Sequence, residues 1–147
     1  MIKKIKWSII GCGDVTEVKS GPAFNKVKDS TLYAVMRRDE EKAKDYAMRH
    51  HVPAYYSNAM DLINDPEVNA IYIATPPDTH EAYTLEAIKA GKPVYVEKPM
   101  ALNSLSALQM MKLAAEKNVK LVVAHYRNAQ PMFIKIKELI DAGAIGQ

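Results

Sequence analysis

The chain has 147 residues, 48% of them apolar and 25% charged, a balance that suits one folded domain with a core and argues against disorder. The net charge of +3 comes from Lys and Arg intermixed with Asp and Glu along the whole sequence, which is the pattern of a solvated surface and not of a nucleic-acid-binding stripe. A single cysteine, Cys12, excludes an internal disulfide and fits a reducing compartment.

The chain opens with lysines ahead of an apolar stretch, as a secretion signal does. Trp7–Ile10 is far shorter than the roughly 7–15 apolar residues such a signal needs, and no segment approaches the ~20 that span a membrane. A cytoplasmic protein is expected. Ile5–Gly11 reads as a short β-branched strand ended by glycine, and it runs straight into Gly11-Cys12-Gly13 and a predicted helix. Gly11 permits a tight turn, and Gly13 lets backbone N–H groups approach a pyrophosphate at the helix N-terminus. Strand, glycine turn and helix in that order make Gly11, Cys12, Gly13, Asp14 and Val15 candidate dinucleotide-binding residues. The third position of the fingerprint is Thr16 where glycine is usual, so helix and strand are expected to pack slightly further apart.

The second strand, Thr31–Met36, ends at Arg37, Arg38 and Asp39. In NAD-binding versions of this motif an acidic residue about 20 positions on takes the adenosine ribose. Two arginines just before a helix N-terminus are mildly unfavourable unless an anion uses them, and a ribose 2′-phosphate is such an anion. Arg37 and Arg38 therefore predict a preference for NADP(H), with NAD(H) as the alternative. The helix within Arg38–His51 has Asp39 as N-cap, Glu40 and Glu41 in its first turn, and Arg49, His50 and His51 in its last. Ala43, Tyr46, Ala47 and His50 share one of its faces.

Ala70–Thr75 is the next predicted strand. It leads through Pro76 and Pro77 to a helix in Asp78–Gly91, where Asp78 and Glu81 have capping-box spacing and Gly91 is the stop. Pro93–Glu97 is an apolar strand that ends on Glu97, Lys98 and Pro99, a place where charges are costly unless something uses them. Ser104–Asn118 reads as a helix with Leu108, Met111 and Ala115 on one stripe. Lys120–His125 is a further strand, and a last helix runs from Pro131 to Gly143. Tyrosines and methionines on these stripes read as core. His50, His51 and His125 lack a partner pattern for metal, so no metal site is assigned.

Apolar strands alternating with helices over short connections predict an α/β fold, a doubly wound, mainly parallel Rossmann sheet with helices on both faces. Ligands in such sheets bind beyond the carboxyl ends of the strands. Those ends carry the glycine turn, the arginine pair, Thr75-Pro76-Pro77, Glu97-Lys98-Pro99 and His125-Tyr126-Arg127.

Taken together, Gly11–Phe24, Ile71–His80, Ala90–Ala101 and Ala142–Gly146 resemble the Gfo/Idh/MocA oxidoreductases over essentially the whole chain. A-T-P-P-x-x-H and E-K-P carry more of that resemblance than the glycines do. It implies that residues 1–147 form an N-terminal NAD(P)-binding Rossmann domain. In the family a second α/β domain with an open, mostly antiparallel sheet follows and builds much of the substrate pocket. The chain is thus expected to stop short of that domain and to show little or no turnover alone. The resemblance implies that Thr75, Pro76 and Pro77 border the cofactor with His80 nearby, and that Glu97 stands by the nicotinamide. Lys98 would be the proton donor or acceptor, and Arg127 would lie near the nicotinamide with Tyr126 a weaker candidate. The plainer alternative for His80 is a capped or solvent-facing histidine, and for Tyr126 and Arg127 a loop anchor. Lysine suits the proton transfer, because a cationic neighbour such as an oxidised nicotinamide favours its neutral form.

The implied reaction is hydride transfer between nicotinamide and a hydroxyl or carbonyl carbon of a sugar, polyol or related small molecule. Expected partners are the dinucleotide and that small molecule, with no nucleic acid and no membrane, and with homo-oligomers admissible. From another class comes a non-catalytic NADP(H)-sensing or regulatory module, against which the presence of Lys98 argues mildly. A methyltransferase shares the glycine turn, but the arginines disfavour it, since adenosyl sites usually want an acid at that point.

Overall fold

A computed structural model describes residues 4–144 and 146. At its centre is a six-stranded sheet whose neighbouring strands all run parallel. The strands are β1 (Ile5–Ile10), β2 (Ser30–Met36), β3 (Ala54–Tyr56), β4 (Ala70–Ile73), β5 (Val94–Val96) and β6 (Leu121–Val123). Their order, β3-β2-β1-β4-β5-β6, is that of a Rossmann fold. Apolar runs in the sequence mark all of them except β3. That strand has three residues behind Pro53 and lies at the sheet edge, too short for a periodicity to register.

Alternation along the strands sends side chains to two faces. Ile10, Met36, Ile71, Ile73, Val94 and Val96 meet α3 (Ala59–Asn64), α4 (His80–Lys89) and α5 (Ser104–Glu116) through Leu62, Ile63, Ala87, Ile88, Met110 and Ala114. On the other face Ile9, Leu32, Val35 and Tyr72 meet Tyr46 and Ala47 of α2 (Glu40–Arg49), together with Cys12. Leu32 and Val35 share this face although three positions apart, because the β1–β2 pairing slips between Trp7 and Ser8: Trp7 faces Leu32, and Ser8 faces Ala34.

The second face is covered only in part. A π-helical turn, Thr16–Ser20, and the short α1 (Gly21–Ala23) follow β1. Beside them an apolar groove of about 610 Å³ stays open between Ile5, Trp7, Phe24, Tyr95 and Val122. No residue of α6 (Pro131–Asp141) is buried, and Met132, Ile134, Ile136, Leu139 and Ile140 are exposed. Among the described residues no helix is long and apolar enough to cross a membrane.

The helix ends confirm some expectations and correct others. Asp39 caps α2, its side chain accepting from the Lys42 N–H at 3.2 Å. His51 has already left that helix, with φ +54°. The capping box from Asp78 to Glu81 is not formed, because Pro77–Thr79 make a 3₁₀ turn and α4 starts only at His80 with no side-chain cap. Pro77 opens that turn, where its fixed φ fits and its missing N–H is not needed. In α5 the buried side carries Met110 and Ala114, while Leu108 and Met111 are 45% and 57% exposed. Asn103, accepting from the Ser106 N–H at 2.9 Å, caps this helix. Met110 and Ala114, with Leu113 packed beside them, face the core, and Leu108 and Met111 face outward.

Candidate functional site

Strand order reverses between β1 and β4, and a cleft of about 420 Å³ opens at their carboxyl ends. Gly11, Cys12 and Gly13 form one wall. Met36, Arg37, Arg38 and Asp39 with Lys42 form the second, and Ala74, Thr75, Pro76, Asp78 and Thr79 with Tyr83 the third. Backbone bonds tie the walls together: the Gly11 N–H donates to the Met36 carbonyl (2.9 Å), and the Ala74 N–H to that of Ile10 (2.9 Å).

The two glycines of the turn answer to different constraints. Gly11 has φ +93°, and a Cβ there would stand 2.7 Å from Thr75 Cγ2 and 2.9 Å from the Thr75 nitrogen. Only glycine lets this turn lie against the end of β4. At Gly13 a Cβ would meet nothing within 4 Å. That free space opens in front of the helix start, which is the room a phosphate needs to reach backbone N–H groups. The missing third glycine is accommodated locally. Thr16 is fully buried, its hydroxyl donates to the Gly13 carbonyl at 2.7 Å, and the helix widens to a π turn from Thr16 to Ser20.

The second wall is cationic. Arg37 is half-buried, and its Nη1 donates to the Cys12 carbonyl at 3.4 Å, which draws the guanidinium across to the glycine turn. Arg38 is exposed. Lys42, which the sequence reading does not single out, brings a third positive charge from the first turn of α2, with its Nζ 3.0 Å from Asp39 Oδ2. Asp39 is held below the usual carboxylate range by the side chain and N–H of Lys42, so it is already engaged as cap and ion-pair partner. Burial pushes the Cys12 thiol up to about 11 despite the opposing Arg37, which makes it a wall and not a nucleophile.

Of the sequence candidates, Gly11, Cys12, Gly13, Arg37, Arg38, Thr75 and Pro76 line the cleft. Asp14 and Val15 are exposed just beyond it, and Pro77 starts the 3₁₀ turn. His80 is 1% exposed, hence neither solvent-facing nor in the cleft. Its Nδ1 lies 2.9 Å from the Pro99 carbonyl and its Nε2 2.7 Å from that of Thr75, so one imidazole joins two strand-end turns. Glu97 and Lys98 are not cleft walls; they sit at the end of β5, where the Glu97 N–H donates to the Ile73 carbonyl (2.9 Å). Lys98 is exposed, and its bond to Pro99 is cis. Arg127 lies beyond β6 in the exposed turn Tyr126–Ala129, 5.6 Å from the centre of the Phe133 ring.

Behind the cleft, α2 is pinned to the helix that follows the glycine turn. Arg49 donates to both Glu17 oxygens (2.7 and 2.8 Å), His50 Nε2 lies 2.6 Å from Oε2, and the Tyr46 hydroxyl donates to the Thr16 carbonyl at 2.8 Å. The Arg49 guanidinium, with His50 adding to it, holds the Glu17 carboxyl at about 2 although partial burial pulls the other way.

The family model of the Gfo/Idh/MocA oxidoreductases, which have an NAD-binding Rossmann fold, matches residues 5–125. The chain belongs to this family. It is 53% identical over 146 residues to an oxidoreductase of Formosa agariphila, a match covering 99% of this chain and 46% of that one. It is 32% identical over 146 residues to the trans-1,2-dihydrobenzene-1,2-diol dehydrogenase of Xenopus laevis, covering 96% and 43%. In fold it is similar to a 3-ketoreductase from Actinomadura kijaniata in complex with NADP and TDP-benzene, with TM-score 0.90 at 24% identity over 97% of this chain and 45% of that one. The chain therefore spans somewhat less than half the length of these relatives. As a Gfo/Idh/MocA Rossmann domain it is an NAD(P)-binding domain.

Proposed function

We propose that this chain is the cofactor-binding domain of an oxidoreductase that prefers NADP(H) and moves a hydride between the nicotinamide and a hydroxyl or carbonyl carbon of a sugar, polyol or related small molecule. The carrying observation is the convergence of the Gly11–Gly13 turn, the cations Arg37, Arg38 and Lys42, and the Thr75–Pro76 turn on one cleft at the switch point of the sheet. When bound, the nicotinamide supplies or takes the hydride. The chain's own residues do the rest. The open space at Gly13 admits the pyrophosphate to the helix start. Arg37, Arg38 and Lys42 take the 2′-phosphate, while Asp39, the acid that would suit a bare ribose, is committed to its helix cap. Lys98, at the next strand end, takes a proton from the hydroxyl when neutral and gives one to the carbonyl when protonated. The single buried Cys12 supports a cytoplasmic setting.

Titrating NADPH and NADH into the chain at one salt concentration tests this reading. NADPH is expected to bind at least about tenfold more tightly, and Arg38→Ala or Lys42→Ala to close the gap. Equal affinities would remove the NADP(H) preference, and no binding of either would remove the cofactor reading itself.

The position of Glu97 and Lys98 outside the cleft walls favours a second reading, an NADP(H)-sensing module without catalysis. Supplying the C-terminal half of a relative separates the two: hydride transfer that appears only with that half, and is lost in Lys98→Met, belongs to the enzyme.

A further inference from the structure

Tyr72 lies in the middle of the sheet on β4 and is fully buried, with its ring between those of Phe24 and Tyr95, each 5.5 Å away between centroids. A phenylalanine would fill the same volume without burying a hydroxyl, so the hydroxyl needs a reason. Its partner is Glu97: the phenol donates to Oε1 at 2.6 Å. The other carboxylate oxygen accepts the Lys98 N–H at 3.2 Å, which leaves Glu97 held from below and from the side at the end of β5. Burial, reinforced by the adjoining carboxylate, pushes the Tyr72 phenol far above its ordinary value, so it stays a donor at any working pH.

We propose that Tyr72 is a positioning residue whose buried hydroxyl fixes the Glu97 carboxylate beside Lys98, so that the site holds the oxidised, cationic nicotinamide more tightly than the reduced, neutral one. This rests on the cofactor reading above, with a nicotinamide that extends from the cleft at the end of β4 to the next strand end, where Glu97 sits. The physical argument is preorganisation: a carboxylate fixed before the ligand arrives need not be ordered when a positive ring comes near it, and it offers nothing comparable to a neutral ring. Tyr72 itself touches neither.

The test uses the chain with Tyr72→Phe, Glu97→Gln and the double variant, each titrated with NADP⁺, NADPH and adenosine 2′,5′-bisphosphate, which carries the 2′-phosphate but no nicotinamide. Tyr72→Phe is expected to weaken NADP⁺ binding about fivefold relative to NADPH and to leave the bisphosphate unchanged. Glu97→Gln should shift the same ratio at least as far, and adding Tyr72→Phe to it should change nothing more. A purely structural tyrosine would instead lower affinity for all three ligands together. An unchanged NADP⁺/NADPH ratio in Tyr72→Phe, or a second full shift on the Glu97→Gln background, overturns the proposal. Should Tyr72→Phe fail to fold, an unchanged ratio in Glu97→Gln overturns it alone. A wild-type chain that binds none of the three ligands refutes the cofactor reading, and this inference with it; a wild-type chain that binds all three, with unmoved ratios in the variants, refutes this inference only.

Discussion

Gly11 and Gly13 are two residues apart and face opposite constraints. Methylating Gly11 drives a Cβ into Thr75 at a positive φ, so Gly11→Ala is expected to lower stability by about 1–3 kcal/mol, measured by denaturant unfolding. Methylating Gly13 strains nothing in the chain, so Gly13→Ala should shift stability by no more than about 0.5 kcal/mol while weakening NADPH binding about tenfold. The reverse pattern would mean that the space at Gly13 is not where phosphate goes. Both glycines were legible from sequence because strand, turn and helix follow one another directly. Lys42 and Tyr83 were not: the lysine reads as an ordinary solvated charge on α2, and the tyrosine as helix core, until α2 and α4 are brought to the same cleft.

Between elements, the bridge from Glu17 to Arg49 and His50 holds α2 against the helix behind the glycine turn. The carboxyl titrates lower in the fold, at about 2, than its ordinary 4.5. A depressed carboxyl contributes its stabilisation in full above the unfolded value and loses it as pH falls through the folded one. Glu17→Gln is therefore expected to lower the thermal midpoint at neutral pH, with the gap to wild type narrowing as pH falls from about 4.5 towards 2. A gap constant across that window would assign the bridge to shape and not to charge. The elements themselves were read well where a local signal exists, as at Asp39, Gly91 and the apolar strands. They were read badly where tertiary packing decides. Nothing in Leu108, Met111 and Ala115 tells that α5 turns the side of Met110 and Ala114 inward, and two prolines overrode the capping spacing at Asp78.

The molecule as a whole leaves α6 without a buried residue and one sheet face partly bare. Ending the chain at Gln130 should therefore move the thermal midpoint by no more than about 2 °C. A larger loss would show that α6 contributes to the fold. The architecture and the strand-end location of the cleft were visible in the alternation of elements, whereas the tie through His80 was not, since a histidine on a helix start reads the same whether it is wet or dry. That tie makes neighbouring loops share a yoke. A ligand resting on the lip at Thr75 would lie one imidazole away from Pro99 and from the lysine that precedes it.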